Sequence, residues 1–561
     1  MLMNFRTLKW IGLAVATLVV ATMAVFLYLF IMDDVDRPDG VIADVQEIIG
    51  SEIRELRKSV RERFGSGSST RPGGSELSPI GETIVSTGLV DLRVSRYALL
   101  GVPHCPFLNP GTIEADGGGL LFAHCSGRFF RLRPDEGHAI VDTGYSLPLN
   151  WQDMVAYAPK AGTQEDTSVN VLDLLRLENG ATAVSYTWWN PEKKCFAFTV
   201  AMLDINATPP VPRPVFEARP CIQPDMDREE TLMGHQAGGR LIQTSEHSVL
   251  VSIGDFGFDG LNHTADLVQD LNTDLGKIVE INLVTGEHRH VSIGHRNPQG
   301  LTRMKDGRIF ETEHGPQGGD EINLIHDGVN YGWPLETLGV QYGGENWPRD
   351  PVRGGHSRFE KPMFAFMPSI GISQLVEARD FVKEWEGDLL VGSLTGGTLH
   401  RLRLNGDTVL YDEPIFLNQR LRDIVQMQDG RIAILTDDYE IILIAVDREH
   451  RLQSIIAEAP DAARLALTGC LECHTLSTNS TGKGRIPLAG IIGRNVASWP
   501  GVDYSPGLRS AGGAWTRESL DGFLADPEQI APGTPMAPKA IRDAELRRDV
   551  VDLLGRLTPT P

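Results

Sequence analysis

Two near-identical stretches decide the fold of the central region: MKDGRIF at residues 304–310 and MQDGRIA at residues 427–433. In each, an Asp-Gly pair that favours a tight turn precedes a short apolar run, the pattern of a β-hairpin. Similar alternating runs recur between about residues 76 and 450, among them VLVSIGD, KIVEINL, DLLVGSL and TLHRLRL. Repeated β units favour a β-propeller, whose closed ring leaves few strand edges exposed. We therefore predict an all-β propeller over residues 76–450, although spacing alone does not fix the number of blades.

The length and charge of the chain predict several folded units and exclude one class of partner. A chain of 561 residues exceeds what one hydrophobic core usually organises. Its formal net charge of -22 argues against nucleic acid, because phosphate binding needs a concentration of Lys and Arg that this sequence does not show.

The N-terminus predicts a membrane anchor. Residues 10–32 form an apolar run that is long enough, as a helix, to cross about 30 Å of hydrocarbon. Arg6 and Lys9 precede the run and three aspartates follow it, which predicts a cytoplasmic tip at residues 1–9 and a periplasmic bulk. The expected location is thus the inner membrane, crossed once. A cleaved signal peptide is the alternative, but its apolar core would be shorter and would end in small residues.

Residues 33–75 are predicted to form a helical stalk followed by a flexible linker. Apolar residues recur near helical spacing from residue 41 to about residue 63, and GSGSSTRPGG follows at residues 65–74. A short coiled coil that dimerises the protein is the alternative interpretation of the helix.

Six cysteines divide into four that can pair and two in a cofactor motif. In an oxidising compartment the first four favour disulfides between nearest neighbours, Cys105 with Cys125 and Cys195 with Cys221. A Cys2His2 metal site that includes His104 and His124 is the alternative, and we predict that no zinc binds there.

The other two cysteines lie in CLECH, Cys470 to His474. This is the CxxCH motif, in which both thiols attach to haem and the histidine binds its iron. Residues 451–561 contain one histidine, His474, and one methionine, Met536. Met536 is therefore the sole thioether candidate for the sixth ligand, with Lys483 and Lys539 as weaker alternatives.

The C-terminal segment resembles class I cytochromes c over nearly its whole length, through GCLECH, GRIPLAGIIGRN, YSPGLRS, GGAWTRESLDGFLADP and PGTPMAP. The resemblance implies an all-α cytochrome c domain at residues 455–561, with Met536 as the distal ligand. It also implies that the carbonyl of Pro487 lies against the proximal imidazole. Thioether ligation suits reversible one-electron transfer.

The stretch GHRNPQGLTRMKDGRIFETEHGPQGGDEINLIHDGVNYGWP, residues 294–334, carries a second resemblance, together with MGHQAGGRL at Met233 and QRLRDI at Gln419. Over about residues 230–445 the chain is similar to soluble quinoprotein glucose dehydrogenases and aldose sugar dehydrogenases. The resemblance implies a six-bladed propeller that holds pyrroloquinoline quinone and calcium.

Oxidising a sugar at its anomeric carbon needs a base for the hydroxyl proton and a hydride acceptor. By this resemblance His235 is the base, and Asp255 orients it and raises its basicity. The residues that would bind the cofactors are Arg296, Asn297, Arg420 and Arg422 for the quinone, and the main-chain oxygens of Gly315 and Pro316 for calcium.

Three departures from the family pattern concern the quinone. Thr395 stands where the family has a lysine that contacts the quinone, the segment Met367–Ile372 differs, and the loop from His235 to Arg240 is one residue longer. One missing charge-assisted contact should cost about 1.5 to 3 kcal/mol of cofactor binding.

These patterns predict a membrane-anchored periplasmic quinoprotein dehydrogenase. It would oxidise an aldose or related alcohol and pass electrons to its own c-type haem, and from there to a soluble cytochrome c or a terminal oxidase. The alternative is a propeller without quinone that binds a ligand or partner beside an electron-transfer cytochrome. Thr395 favours that alternative, whereas His235 and Asp255 favour the enzyme. The sugar itself is not encoded in any readable motif.

Overall fold

The computed structural model describes residues 75–105, 109–157, 169–204, 211–223, 236–261, 265–342, 344–349, 357–447, 455–476 and 486–557. The chain divides into two units, Met1–Gly73 and Gly74–Pro561, and all the described residues belong to the second. The predicted cytoplasmic tip, the apolar run at residues 10–32, and all but the last residue of the stalk and linker lie outside the described residues.

The predicted localisation is corrected by the helices that the structure contains. Among the described residues, no helix is long and apolar enough to cross a membrane. The longest of them, Ala544–Arg556, has 13 residues and so extends about 20 Å, whereas the core of a bilayer is about 30 Å thick. The prediction of a single-pass inner-membrane protein with a periplasmic bulk is therefore withdrawn.

The strands of the first three blades follow one another along the chain. Those of the N-terminal hairpin and of blade 1 are β1 (Glu76–Ser86), β2 (Asp91–Leu100), β3 (Gly111–Asp116), β4 (Gly119–His124), β5 (Arg128–Arg133) and β6 (Ala139–Ser146). After helix α1 (Trp151–Tyr157), blade 2 contains β7 (Val171–Arg176), β8 (Thr182–Asn190), β9 (Cys195–Leu203) and β10 (Arg213–Glu217). Blade 3 contains β11 (Gly238–Ser245), β12 (Ser248–Ile253), β13 (Lys277–Asn282) and β14 (His288–Ile293).

The remaining blades repeat the pattern. Next come β15 (Pro298–Arg303), β16 (Ile309–Glu313), β17 (Asp320–Leu324), β18 (Val329–Asn330) and β19 (Phe364–Phe366); β18 pairs with β14 of blade 3, and the other four form blade 4. Blade 5 contains β20 (Ile372–Glu377), β21 (Leu389–Ser393), β22 (Thr398–Asn405) and β23 (Thr408–Phe416), with a 3₁₀ turn at Lys383–Trp385. Blade 6 contains β24 (Leu421–Gln426), β25 (Ile432–Thr436) and β26 (Glu440–Val446), completed by β2 and β1.

The burial pattern of the strands explains why the sequence folds in this way. The second strands of the blades are covered on both faces and read as continuous apolar runs, such as LLVGS in β21 and IAILT in β25, in which every residue is buried. The outer strand β23 instead alternates more exposed with more buried positions, because one of its faces meets solvent.

The ring is closed. The innermost strands contact one another in a cycle: β3 with β7, β7 with β11, β11 with β15, β15 with β20, β20 with β24, and β24 with β3. Blade 6 joins the N-terminal and C-terminal parts of the propeller sequence. Its strands β2 and β26 pair, with Leu92 opposite Val446 and Ala98 opposite Glu440. The predicted all-β propeller is thus confirmed, and it has six blades.

A buried ion-pair network lies at the centre of the ring. Arg240 on β11 donates through Nη1 to Asp423 on β24 at 2.8 Å and to Asp173 on β7 at 3.0 Å. Since β11 and β24 are three blades apart, Arg240 must reach across the axis. Thr112 on β3 donates to Asp423 at 2.6 Å, and Arg240 Nε donates to the carbonyl of Gln299 on β15 at 2.7 Å. Five of the six blades therefore share this network.

Both predicted cysteine pairs are confirmed. Cys105 is bonded to Cys125, and Cys195 is bonded to Cys221. Each bond joins residues close in sequence, so it locks a local segment of the propeller rather than two distant blades.

The C-terminal domain is helical. Its elements are α2 (Asp461–Cys470), β27 (His474–Thr475), β28 (Ile486–Pro487), α3 (Pro506–Ala511), α4 (Arg517–Ala525), α5 (Pro527–Ile530), a 3₁₀ turn at Ala537–Lys539, and α6 (Ala544–Arg556). Helix α4 begins with a capping box between Thr516 and Ser519, and Asp543 caps α6. Helix α6 packs against both α2 and α4 and so organises the domain.

The C-terminal domain packs directly on the propeller. One continuous buried apolar cluster includes Leu89 and Val90, from the turn between β1 and β2, together with Leu467 and Leu471 of the C-terminal domain. A Cβ placed on Gly88 in that turn would lie 3.8 Å from Cβ of Leu471, which is ordinary van der Waals contact.

This contact lies at one end of the propeller. We call the end at which the inner strands begin the top end, and the other the bottom end. Leu92, next to the turn between β1 and β2, pairs with Val446 at the end of β26. The start of β26 lies beside the end of β25, where Thr436 pairs with Leu421 at the start of β24. The C-terminal domain therefore packs near the bottom end.

Replacing Arg240 by Met should strongly destabilise the propeller, because it leaves Asp173 and Asp423 buried without their cation. We expect the free energy of unfolding to fall by about 3 to 5 kcal/mol, measured by denaturant unfolding. The control is Arg289→Met, since Arg289 pairs with Glu280 and Asp327 at the surface and its loss should cost less than about 1 kcal/mol. Equal effects of the two substitutions would contradict a central role for the network.

Candidate functional site

A cavity of about 420 Å³ lies inside the C-terminal domain. Cys470, Cys473, His474 and Met536 line it, among apolar walls that include Trp515. The four residues predicted from the CxxCH motif and the sole methionine therefore meet around one apolar space. Because a haem needs two thiols, a proximal imidazole and an apolar pocket, the residues present fit this group.

The proximal histidine is held by a main-chain carbonyl. Nδ1 of His474 lies 3.1 Å from the carbonyl oxygen of Ile486, which leaves Nε2 for the iron. The carbonyl predicted for this role was that of Pro487, so that prediction is wrong by one residue. The reason is the register of β27 and β28, in which His474 lies opposite Ile486. The Pro487 carbonyl instead accepts a hydrogen bond from Arg494 Nη1.

One alternative sixth ligand is engaged elsewhere. Lys539 donates to the carboxylate of Glu472 at 2.5 Å, and this hydrogen bond raises the pKa of Lys539. An ammonium held in its charged form has no lone pair to offer to iron. Lys483, the other alternative, lies outside the described residues.

A second group of predicted site residues meets at the top end of the propeller. Asp255 follows β12 and is fully buried. Its carboxylate accepts hydrogen bonds from Trp333 Nε1 at 2.7 Å and from the Gly257 amide at 2.8 Å. The Arg296 guanidinium lies 5.3 Å from the centre of the Trp333 ring. Asp255 and Arg296, which are far apart in sequence, thus share Trp333 as a common neighbour.

The pKa of Asp255 lies near neutral pH. Burial raises the pKa of Asp255 to about 7, although the Arg296 charge and the hydrogen bond from Gly257 oppose the rise. A carboxyl group with this pKa exchanges its proton in the range in which an acid or base catalyst is useful.

Arg296 connects this carboxylate with the Gly315 loop. Its Nη1 donates to the carbonyl of Gly315 at 2.9 Å and to that of His314 at 3.2 Å, while its Nε is buried and has no partner in the described part of the chain. An unpartnered buried guanidinium nitrogen is costly. It is the kind of donor that an anionic cofactor would satisfy.

The predicted calcium ligands lie in a tightly packed loop. A Cβ on Gly315 would lie 2.3 Å from the carbonyl oxygen of Gly318, so a larger residue does not fit there. Asp320 holds the loop by accepting from the Gly315 amide at 3.2 Å and from the Ile372 amide at 2.9 Å. The Gly315 carbonyl already accepts from Arg296, which leaves one lone pair for a cation. Pro316 is buried in the same loop.

The two other predicted quinone-binding arginines share one carboxylate. Arg420 Nε lies 2.7 Å from Asp437 Oδ2, and Arg422 Nε lies 2.8 Å from Asp437 Oδ1. Asp437 is buried. Two guanidinium groups against one carboxylate leave a net positive charge, so this part of the top end remains favourable for an anion.

Three other positions remain from the predicted site: Asn297, His235 and Thr395. The Asn297 side chain accepts from Gln299 Nε2 at 2.8 Å. His235 lies outside the described residues, but the carbonyl of its neighbour Gln236 accepts from the Phe256 amide at 3.3 Å, directly beside Asp255. Thr395, at the position of the family's lysine, is exposed, and its amide donates to the Ile370 carbonyl at 2.9 Å.

Sequence reasoning missed Trp333, Asp437 and Asp320. Trp333 lies in the quoted NYGWP stretch, but no signal in the sequence links its indole to Asp255. Asp437 follows strand β25 in LTDD, a run that reads as an ordinary turn. Nothing in the sequence pairs it with Arg420 and Arg422, because the contact depends on the hairpin register.

Comparisons with known proteins cover parts of both the propeller and the C-terminal domain. A family model described as glucose / sorbosone dehydrogenase matches residues 224–444. The aldose sugar dehydrogenase YliI of Escherichia coli is 32% identical over 224 residues, which cover 36% of this chain and 58% of that protein. The chain spans 54% to 59% of the length of the first three curated relatives that match this region.

Two further comparisons concern the C-terminal domain and the fold. Cytochrome c type-1 of Ascaris suum is 39% identical over 82 residues, 15% of this chain and 72% of that protein. The crystal structure of the soluble aldose sugar dehydrogenase of E. coli in its apo-form aligns with a TM-score of 0.50 and 22% identity, covering 63% of this chain and 100% of that one. At this identity it shows the shared propeller fold alone. Both resemblances drawn from the motifs are confirmed.

Replacing Met536 by Ala should remove the sixth iron ligand while leaving the covalent attachment at Cys470 and Cys473 intact. We expect a changed absorption spectrum of the oxidised haem and a lower midpoint potential, because thioether ligation raises the potential. Lys539→Ala is the control and should leave the oxidised spectrum unchanged. An unaltered spectrum in the Met536 variant would refute this ligand.

Proposed function

We propose that this protein is a sugar-oxidising quinoprotein that delivers electrons to its own haem, because its C-terminal segment belongs to the cytochrome c family and the glucose / sorbosone dehydrogenase family model matches residues 224–444. The substrate class is an aldose or a related alcohol. The observation that carries the proposal is the chain of contacts from Asp255 through Trp333 and Arg296 to the Gly315 carbonyl.

The proton of the substrate hydroxyl is taken by His235, which Asp255 orients. Gln236 supports this placement, because its carbonyl accepts from the Phe256 amide, next to Asp255. The pKa of Asp255, raised to about 7 by burial, means that the carboxylate form is populated above neutral pH. An ionised Asp255 raises the basicity of the imidazole, so proton removal should become faster as Asp255 ionises.

Arg296, Arg420 and Arg422 would hold the quinone, and the carbonyls of Gly315 and Pro316 would hold calcium. When bound, these groups supply a two-electron acceptor and a cation that polarises it. Arg296 Nε is the donor best suited to an anionic cofactor, since it is buried and has no hydrogen-bond partner among the residues that the structure describes. Asn297 lies next to Arg296 and adds a polar side chain at the same edge.

Arg420 lies near the position of the missing lysine at Thr395, but it is already assigned to the quinone and so does not replace the contact of that lysine. Arg420 Nη1 lies 3.4 Å from the carbonyl of Leu394, so its guanidinium reaches the residue beside Thr395. A cation is therefore present close to the position at which the family has its lysine. Quinone affinity should be lower than with that lysine, by an amount equivalent to one charge-assisted contact, about 1.5 to 3 kcal/mol.

The presence of both domains in one chain favours electron transfer within that chain. A tethered acceptor has an effective concentration of the order of millimolar, which removes the need for a diffusing electron carrier at this step. The reduced haem would then pass its electron to a soluble cytochrome c or to a terminal oxidase.

A second function is favoured by one specific observation. Arg420 and Arg422 are already paired with Asp437, and Thr395 removes a cation, so the top end could bind a different anionic ligand or a partner without quinone. In that case the propeller is a binding module attached to an electron-transfer cytochrome.

The deciding experiment follows the haem itself. The full chain, with its haem attached, is supplied with pyrroloquinoline quinone and calcium, mixed with a panel of aldoses, and monitored by the absorbance of reduced haem. We expect reduction with at least one sugar and only when the quinone is present. The rate should rise with pH, with an apparent pKa near 7, because Asp255 must lose its proton to assist His235.

The matched variants separate the site from the rest of the chain. Asp255→Asn should lower the rate about 100-fold or more and abolish the rise near pH 7. Asp327→Asn, which changes an exposed carboxylate at the surface, should behave as the unmodified protein. If no sugar reduces the haem and no quinone binding is measurable, the dehydrogenase proposal is wrong and the binding-module proposal remains.

A further inference from the structure

A cluster of buried polar side chains lies behind Arg296, and the proposed reaction does not use it. His295, Glu311 and Glu313 bring one ring nitrogen and two carboxylate oxygens within 4.8 Å of one another. All three are buried, with exposed fractions of 0%, 0% and 4%. Glu311 and Glu313 lie on the same face of β16 because they are two residues apart on a strand, and His295 immediately precedes Arg296.

The cluster carries more negative charge than its neighbours balance. Within the part of the chain that the structure describes, the Glu313 carboxylate contacts the Arg296 amide at 2.5 Å, the Asn323 amide at 3.0 Å and the His295 ring at 3.4 Å. Glu311 contacts Asn323 Nδ2 at 3.1 Å. The guanidinium of Arg296 is directed elsewhere, to the carbonyls of His314 and Gly315. Two carboxylates buried among amides and an imidazole are unfavourable without a cation or a proton.

Glu311 provides an independent sign of a missing ligand, because its Oε1 is buried and has no hydrogen-bond partner among the described residues. Asn323 on β17 is also fully buried, and its Nδ2 faces the two carboxylates. The two ends of an Asn amide have nearly the same shape, so turning the group by 180° places Oδ1 where Nδ2 now lies. In that orientation Oδ1 of Asn323 lies 3.1 Å and 3.0 Å from one oxygen of each carboxylate, and the Glu313 oxygen lies 3.4 Å from Nδ1 of His295. Such a set repels itself unless a cation occupies the centre.

The spacing of these atoms favours a small ion. The Asn323 amide atom lies 3.1 Å and 3.0 Å from the two carboxylate oxygens. Four ligands about 2.1 Å from one tetrahedral ion are about 3.4 Å apart, which is near these spacings and matches the 3.4 Å between Glu313 and the His295 ring, as expected for Zn²⁺ or a similar small ion. Calcium, with ligands at about 2.3 to 2.6 Å, would need wider spacing and seldom takes an imidazole.

We propose that His295, Glu311, Glu313 and Asn323 bind one small divalent transition-metal ion, Zn²⁺ or Mn²⁺. Its two positive charges neutralise the two carboxylates. Nε2 of His295 lies 2.8 Å from the hydroxyl of Ser292, a partner that fixes the ring and leaves Nδ1 free to bind the metal. The ion would join the segment before β15 to strands β16 and β17, and so brace the main chain at Arg296 and Gly315.

This site is separate from the calcium position at Gly315 and Pro316 and does not depend on sugar oxidation. Its donors are side chains, whereas the calcium position uses main-chain oxygens. Zinc and manganese contents can also be measured separately from those of calcium and of the haem iron, so the two sites have different readouts.

The test is elemental analysis of the full chain with its haem. The protein is prepared with added Zn²⁺ or Mn²⁺, dialysed against a chelator to remove surface ions, and analysed by mass spectrometry. We expect about one zinc or manganese ion per chain, and anomalous X-ray scattering should locate it beside His295. A wild-type content below about a tenth of an ion per chain would overturn the proposal and assign a proton to the carboxylate pair.

Two variants test the assignment of the ligands. Glu311→Gln preserves the shape of the side chain and should lower the metal content at least tenfold, while Glu280→Gln, on the exposed face of β13, should not change it. Should Glu311→Gln fail to fold, Asn323→Ala gives a second test, and metal content is then compared in whichever variant shows the normal haem spectrum. Full occupancy in a folded variant that lacks one of these donors would contradict the site as drawn.

Discussion

The ion pairs of Arg240 with Asp173 and Asp423 are the constraint on which the rest of the structure depends. They cross the centre of the ring, and they bury charges that are stable only when all three partners are in place. The same guanidinium donates to the carbonyl of Arg422 at 3.2 Å. The network that closes the propeller thus also fixes the main chain at one of the proposed quinone-binding residues. The same side chain therefore helps to close the ring and to position part of the proposed site.

The two candidate sites lie near opposite ends of the propeller. Asp255, Arg296, Gly315 and Arg420 lie where inner strands begin or second strands finish, so they meet at the top end. The cytochrome domain packs at the bottom end, where Leu471 of the CxxCH motif contacts the turn at Gly88. A strand of six residues spans about 20 Å, so about one blade length separates the two regions. The proposed electron transfer would therefore have to cover about this distance.

The sequence was informative where the signal is local. Alternating runs and Asp-Gly turns indicated the strands, and CLECH with one methionine indicated the residues that line the haem cavity. Contacts that depend on register were not readable: the carbonyl at His474 belongs to Ile486 rather than Pro487, and Asp437 pairs with both Arg420 and Arg422 from the end of another strand. The apolar run at residues 10–32 predicted a membrane location because hydropathy is read without tertiary context, and no helix of the described part supports it.

The central claim is that one chain contains both the sugar site and the haem that accepts its electrons. The most direct measurement is stopped-flow reduction of the haem by sugar in the quinone-loaded protein, followed in a single turnover at protein concentrations that vary over about two orders of magnitude. Transfer within one chain predicts a first-order rate constant that is the same at every protein concentration. A rate constant that rises in proportion to protein concentration would show transfer between molecules and would contradict the account.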